Sequence, residues 1–361
     1  MSGRVVIEGV EIQDGSECYV IAEIGHNHQG SVETAKEMFK AAAECGANAV
    51  KLQKRDNRSL YTKEFFDRPY DNESSYGATY GAHREFLEFG RDEYVELKAY
   101  AQELGVAFFA TAFDFTSADF LADLDMPAYK MASGDLTNTP LLRYVGEIGK
   151  PVIFSTGGGT IDDVRRAYET LLEVNDQLVV LQCTAGYPAE WAELDLRVIP
   201  TYAEEFPQAV VGFSSHDNGI AMPVAAYVLG ANVIEKHFTL NRAMKGTDHA
   251  FSLEPQGLRK MVRDLRRARL ALGSGEKTMH PSEAAPIVKM GKKLVAARDL
   301  PAGHVLQRDD LALKSPGDGL PPYELDRVVG RTLRHPLVEE MALTFELLEE
   351  HELEGALSRD D

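Results

Sequence analysis

Short, nearly unbroken apolar runs alternate with stretches of helical periodicity along most of the chain. The apolar runs fall at 18–25, 48–53, 106–111, 127–131, 151–156, 178–184, 209–215 and 233–237. Each is too short for a buried helix and lacks the polar alternation of a half-exposed strand, so each predicts a parallel strand buried on both faces. Between them, apolar residues recur with helical spacing at 32–45, 92–104, from 117 onward, and at 141–148, 161–172, 196–206 and 220–229, with a last helix at 256–272. Eight strand-plus-helix units over roughly 250 residues predict an α/β fold of the TIM (β/α)8 type. A hairpin around Glu8-Gly9, at 4–12, precedes it. One segment, 54–89, breaks the rhythm and reads as a long loop rich in Tyr, Gly, Asn and charge, a length that inside a compact domain usually serves function.

After 272 the pattern changes. Glycine- and proline-punctuated runs such as Leu294-Val-Ala-Ala and Val305-Leu306 predict a small, mainly β domain. The expected division is a barrel at 1–275, a linker at 276–290 and the small domain at 291–361, whose acidic tail after Glu346 is expected to fray.

Charge narrows the partners. With 57 acidic and 38 basic residues the net charge is −19, which argues against nucleic acid and anionic membrane surfaces. An anionic ligand must therefore be held by local cations. The three cysteines, Cys18, Cys45 and Cys183, are scattered and form no CxxC, which predicts reduced thiols in a cytoplasmic protein. The start of the chain has no basic segment leading into an apolar one, so no secretory signal is expected. The longest apolar stretch, 220–234, is interrupted by Pro223 and Gly230 and is too short for a membrane span.

In a TIM barrel the active site lies at the C-terminal strand ends. The polar residues there are Glu23, Lys51, Gln53, Thr111, Lys130, Ser133, Ser155, Thr156, Thr184, Ser214, His216, Glu235 and His237. His216 and His237 end the last two strands. Adjacent parallel strands lie about 4.8 Å apart, so two such histidines can share one divalent metal with positions left open for water and substrate. A single histidine there would more simply be a hydrogen-bonded core residue; two in one barrel mouth favour the metal. Mn2+, Mg2+, Zn2+ and Fe2+ all suit such ligands. Lys51 and Lys130 interrupt apolar strands, which is costly unless each meets an anion. The alternatives are a phosphate or carboxylate clamp, a Schiff-base lysine, and an internal ion pair with Glu23 or Glu235. Those glutamates can orient substrate, move a proton or support a neighbouring lysine or histidine. The Ser155-Thr-Gly-Gly-Gly159 turn opens a helix at Thr160, whose backbone N–H groups offer a further anion site.

These residues resemble the sialic acid synthase family, of the N-acetylneuraminate synthase type. The likeness rests on Ala22-Glu-Ile-Gly-His-Asn-His-Gln-Gly30, Lys51-Leu-Gln53, Tyr129-Lys-Met-Ala-Ser-Gly-Asp135, Ser155-Thr-Gly157, Leu181-Gln-Cys-Thr184, Tyr187-Pro188, Gly212-Phe-Ser-Ser-His216, Glu235-Lys-His-Phe238 and Gly246-Thr-Asp-His249. Lys293 to Gly303 and Lys314-Ser-Pro-Gly-Asp-Gly319 resemble the family's antifreeze-like (SAF) domain. The resemblance implies condensation of phosphoenolpyruvate with an N-acetylmannosamine-type sugar aldehyde, with or without a 6-phosphate. It implies C–O cleavage, a nine-carbon 2-keto-3-deoxy sugar acid as product, and a divalent cation, usually Mn2+, on His216 and His237. Lys51, Thr111, Lys130, Ser133 and Ser155 would hold phosphoenolpyruvate with Ser214 nearby, and Glu23, Tyr187, Glu235 and Asp248 would face the sugar. It also implies an intertwined homodimer in which the second domain reaches the other subunit's barrel.

Three positions depart from the family's bacterial pattern. Ala185 replaces an asparagine, Ser315 an arginine that reaches the substrate acyl group, and Ala82 a glutamate. Arg68-Pro-Tyr70, Thr79-Tyr-Gly81 and Lys245-Gly-Thr-Asp-His249 look more like the animal enzymes, which use a 6-phosphorylated sugar. Lys54, Arg55 and Arg58 would either meet that phosphate or form a solvated loop face. Competing readings are a legionaminic or pseudaminic acid synthase, a non-catalytic sugar-binding or regulatory barrel, and a Schiff-base aldolase using Lys130.

Overall fold

The structure is a computed structural model, and it describes residues 3–349. The chain divides into two compact units, Met1–Gly273 and Ser274–Asp361. In the first, β1 (Arg4–Ile7) and β2 (Val10–Gln13) pair antiparallel around a Glu8-Gly9 turn in which both residues have positive φ. Eight parallel strands follow: β3 (Tyr19–Gly25), β4 (Ala49–Lys54), β5 (Ala107–Ala112), β6 (Tyr129–Met131), β7 (Val152–Ser155), β8 (Leu178–Cys183), β9 (Ala209–Ser215) and β10 (Val233–His237). They pair in chain order, and β10 closes on β3. This is the TIM barrel that the rhythm of the sequence predicts.

The strands are buried on both faces, yet a period of two survives in which core each residue joins. Tyr19, Ile21, Ala49, Ala107, Phe109, Ile153, Val179, Leu181, Val210 and Val233 fill the barrel interior together with Val5, Ile7 and Ile12 of the hairpin. Their neighbours, such as Val20, Val50, Phe108, Phe154, Val180 and Ile234, pack outward against the helices. The hairpin thus packs with the apolar end of the interior. Two residues further along each strand, the inward positions turn polar, and that change makes the floor of the site.

The helices around the barrel are α1 (Val32–Glu44), α2 (Asn57–Leu60), α3 (Lys63–Asp67), α4 (Tyr80–Leu87), α5 (Arg91–Leu104), α6 (Phe115–Asp123), α7 (Thr139–Gly146), α8 (Ile161–Leu172), α9 (Val198–Glu205), α10 (Ala221–Val228) and α11 (Pro255–Leu272). The long loop expected at 54–89 is in fact built from α2, α3 and α4. Each is too short to show a helical period. Their starts are set by caps instead: Asp56, Thr62 and Thr79 accept from the N–H groups of Ser59, Phe65 and Ala82. Tyr61, Phe65, Tyr70 and Tyr80 cluster over them, with ring centroids 4.7–5.5 Å apart for the contacting pairs. A Cβ at position 81 would lie 2.3 Å from the Phe66 ring, which explains Gly81.

In the second unit, part of the expected linker is α12 (Ala284–Met290). Antiparallel β11 (Lys293–Ala296) and β12 (Leu311–Lys314) and several single bridges surround a core of Leu294, Leu300, Leu306, Val328, Leu333, Leu337 and Leu343. The acidic tail expected to fray lies, beyond residue 349, outside the described residues. Among the described residues, no helix is long and apolar enough to cross a membrane.

Candidate active site

Strand register gathers the chemistry. Glu23 lies between His237 and Lys51, Thr111 between Gln53 and Lys130, and Ser214 between Cys183 and Glu235. These side chains line a cavity of about 550 Å³ at the polar strand ends, a size usual for small-molecule sites. All twelve residues to which the family resemblance gives a role line it: Glu23, Lys51, Thr111, Lys130, Ser133, Ser155, Tyr187, Ser214, His216, Glu235, His237 and Asp248.

Two lysines and two glutamates form its buried floor. Lys51 Nζ lies 2.7 Å from Glu23 Oε2 and 3.7 Å from Glu235 Oε2, and donates to Thr111 Oγ1 at 2.8 Å. Lys130 Nζ donates to Ser155 Oγ at 2.6 Å and lies 3.6 Å from Glu235 Oε1, which accepts from Ser214 Oγ at 3.1 Å. The internal ion pair, one of the three readings of these lysines, is therefore present. Gln53 Nε2 donates to Glu23 Oε1 at 2.7 Å. Burial raises the Glu23 pKa, and Lys51 only partly offsets it, helped against by the charge of Glu235. Burial acts on Glu235 as well, but Lys130 and Lys51 outweigh it and hold its carboxyl at about 2. The two carboxyls are thus pushed apart, one toward a proton and one toward the ion. Burial also lowers the pKa of Lys130. Glu23 Oε2 and Glu235 Oε2 have no hydrogen-bond donor aligned on them.

The histidine rings stand with centroids 5.3 Å apart. His216 Nδ1 donates to the Thr184 carbonyl at 2.9 Å, because a carbonyl can only accept; the lone pair of the neutral ring is therefore on Nε2. His237 Nδ1 is buried without a hydrogen-bond partner and lies 3.7 Å from Asp248 Oδ2. Burial pushes the His237 pKa down to about 3, so the ring is neutral. Burial also disfavours charge on His216, but the Cys183 thiol 3.9 Å away reverses the balance and raises it. Tyr187 packs its ring 4.3 Å from that of His216. A carbonyl-oriented imidazole beside a neutral, unpartnered one is a donor pair that suits a metal ion. Among the described residues no three His, Cys, Asp or Glu side chains gather in such a way. The protein would supply two ligands and leave the rest to water and substrate.

Several strand-end expectations change. Thr156 faces outward, donating to the Leu181 carbonyl and accepting from Tyr202, and Thr184 donates to the Glu193 carbonyl. The period of two already separates Thr156 from the inward Ser155. The helix N-terminus at Thr160 is closed by a capping box with Asp163, so its own carboxylate takes the place offered to an anion. Instead, the Gly157 N–H in the same turn donates to Ser133 Oγ at 3.0 Å, at the cavity edge. Lys54 turns away to Glu88 and the Phe89 carbonyl, and Arg58 pairs with Glu85 at the surface. Arg55 is buried and lines the cavity, so it is no solvated face. His26, His83, Arg84 and Cys183 also line it and were missed. His26 lies past a strand end in a glycine-bounded turn, a signal that was available. His83 and Arg84 sit on α4, whose existence the sequence did not reveal.

Known proteins with this sequence pattern place the chain. The NeuB family profile matches residues 38–277 and the SAF domain profile residues 293–349. The N-acetylneuraminate-9-phosphate synthase of Mus musculus is 40% identical over 335 residues, covering 92% of this chain and 93% of the mouse protein. The N,N'-diacetyllegionaminic acid synthase of Legionella pneumophila is 36% identical over 356 residues, covering 97% and 100%. The crystal structure of the N-acetylneuraminic acid synthetase of Leptospira borgpetersenii in complex with citrate superposes with a TM-score of 0.70 at 30% identity, over 80% of this chain and 96% of that one.

Proposed function

The chain belongs to the NeuB family, and from that membership we propose that it is a nonulosonate synthase. It joins phosphoenolpyruvate to the aldehyde of an N-acetylmannosamine-type sugar, giving a nine-carbon 2-keto-3-deoxy sugar acid and inorganic phosphate. The observation that carries this reading is the cavity floor, where Lys51 and Lys130 with three hydroxyls face two neutral-capable histidines across a single cavity. The names of the mouse and Legionella relatives support it.

The phosphate and carboxylate of phosphoenolpyruvate lie against Lys51 and Lys130, in a site dry enough for each charge contact to count. Thr111, Ser155, Ser133 and Ser214 supply neutral donors, and Tyr187 and Asp248 face the sugar. A divalent cation, Mn2+ in first place with Mg2+ or another as substitute, would be held by His216 and His237 and would polarise the aldehyde as a Lewis acid. C3 of the enol forms the new bond to the aldehyde carbon, and the aldehyde oxygen takes a proton. Glu23, whose pKa is raised, is the group suited to hold that proton. Glu235 stays ionised and steadies the positive charge that develops at C2. Water adds to C2, the C2–O bond breaks, phosphate leaves with the electron pair, and C2 becomes the ketone. The working form is read as a homodimer in which each second unit serves the partner's barrel, acting in the cytoplasm. The dimer follows from the family likeness, and the compartment from the three scattered cysteines.

The test is phosphate release from phosphoenolpyruvate with Mn2+ across a panel of hexosamines, using substrate labelled with 18O at the bridging oxygen. The label is expected in phosphate. Label left in the keto acid, or silence with every hexosamine, would sink the proposal.

A further inference from the structure

Lys236 stands between Glu235 and His237 on β10, and the period of two turns it away from the cavity that its neighbours line. It is 1% exposed. An ammonium buried there is costly unless it meets acceptors. Its Nζ donates to Ser215 Oγ at 2.7 Å, to Asp217 Oδ1 at 3.0 Å and to the Asp217 carbonyl, and Ser215 Oγ donates to Asp217 Oδ1. Ser215 and Asp217 are the two chain neighbours of His216, and Lys236 is the neighbour of His237. The three side chains therefore close a cluster behind both histidines.

Strand pairing shows what this cluster adds. β9 and β10 run in register from Gly212 opposite Val233 to Ser215 opposite Lys236, and there their ladder ends. His216 and His237 lie one residue beyond it. Each is held from its far side. His216 Nδ1 donates to the Thr184 carbonyl, and the Ala189 N–H donates to the His216 carbonyl at 3.2 Å. His237 is in register with Glu23 of β3, and the Leu253 N–H donates to its carbonyl at 2.8 Å. One imidazole is thus carried from the β8 side of the barrel and the other from the β3 side. Across the seam between them, the bond from Lys236 to the Asp217 carbonyl continues the ladder by one step, with a side chain in place of a backbone N–H. Farther out, at the surface, Arg242 Nη2 donates to Asn218 Oδ1 at 2.9 Å.

Stability alone does not account for a buried ion pair, because an apolar pair of similar volume holds a core as well. Asp217 Oδ2 has no hydrogen-bond partner, so the carboxylate is committed to Lys236 and Ser215. What the charged cluster supplies is direction: short, charge-assisted bonds join the flank of one histidine to both flanks of the other. The spacing they fix is the one a shared cation depends on, with the ring centroids 5.3 Å apart.

We propose that Lys236 is a positioning residue for the cation site. With Ser215 and Asp217 it sets the spacing of the His216 and His237 rings, and through that spacing the affinity for a divalent cation. This rests on the two-histidine cation site of the synthase reading.

The experiment measures Mn2+ binding to the full chain by calorimetry, with the melting temperature and the KM for phosphoenolpyruvate read on the same proteins. The double variant Asp217→Leu with Lys236→Met keeps the core filled. It is expected to bind Mn2+ about 10- to 100-fold more weakly, and its turnover to keep rising with Mn2+ over a range that already saturates the wild type. Its KM for phosphoenolpyruvate, whose charges meet Lys51 and Lys130, should stay within about threefold. Ser215→Ala is the milder variant: it removes one bond of the cluster, leaves the ion pair, and should weaken Mn2+ binding by about 3- to 10-fold. Unchanged Mn2+ affinity in the folded variants, beside a His237→Ala protein that has lost its Mn2+, overturns the positioning role and leaves the cation site standing. Mn2+ held as tightly by His237→Ala as by the wild type overturns both.

Discussion

Behind the two histidines, on the outward side of their strands, lies a buried ion pair whose removal has a calculable cost. Lys236 precedes His237 and Asp217 follows His216. Lys236 Nζ lies 3.0 Å from Asp217 Oδ1 and donates to Ser215 Oγ at 2.7 Å, and also to the Asp217 carbonyl. The two side chains are 0% and 1% exposed. Lys236→Met leaves the Asp217 carboxylate buried without its counter-ion, a change that costs about 3–5 kcal/mol. The barrel unit spans 273 residues, and at about 2.1 cal/mol/K per residue its unfolding entropy is roughly 0.57 kcal/mol/K, so the melting temperature should fall by about 5–9 °C. Asp217→Leu combined with Lys236→Met should recover at least half of that loss, because an apolar pair of similar volume replaces a buried ion pair at little cost. Scanning calorimetry on the full chain reads both. A single variant that loses less than about 2 °C, or a double variant that loses as much as the sum of the singles, would refute the reasoning.

Two further outcomes follow from the site and from the second unit. Lys130→Met removes the cation nearest the Ser155 hydroxyl, so kcat/KM for phosphoenolpyruvate should drop by about 10²–10³-fold, while the pKa of Glu235 climbs from about 2; a drop below tenfold would argue that Lys130 only balances Glu235. In the second unit, burial alone would raise the pKa of Asp310, but hydrogen bonds from His304, the Gln307 N–H and Arg298 hold it at about 2. Its folded pKa is below its unfolded one, so it stabilises above the unfolded pKa of about 3.9 and that contribution is lost as pH falls toward 2. Asp310→Asn should therefore lower the melting temperature at neutral pH and flatten the acid limb between about pH 4 and 2; an unchanged acid limb would mean the hydrogen bonds contribute nothing.

The barrel was legible because its signal is repeated: eight apolar runs at one spacing leave few alternatives, and strand ends then select the polar residues. The same logic overreached at Thr156 and Thr184, because position at a strand end does not say which face a side chain takes. Ser155 and Thr156 are adjacent, and only the first points inward. The short helices of 54–89 were illegible for a different reason. They hold together through caps and an aromatic cluster spread over residues 61–80, contacts that no local period reports. That is why Arg84 was missed and why Arg55 stood undecided between cavity and solvent. The helix at Thr160 shows the converse, since Asp163 at the third helical position was visible in the sequence as the acid that would close that end.

The central claim is that His216 and His237 hold the cation on which the condensation depends. Phosphate release from phosphoenolpyruvate by His237→Ala, beside a wild type of matching melting temperature and with bound Mn2+ counted in both, tests it most directly. The expected result is loss of bound Mn2+ and a fall in phosphate release of about 10³-fold or more. A folded His237→Ala protein that releases phosphate within tenfold of the wild type would contradict the account.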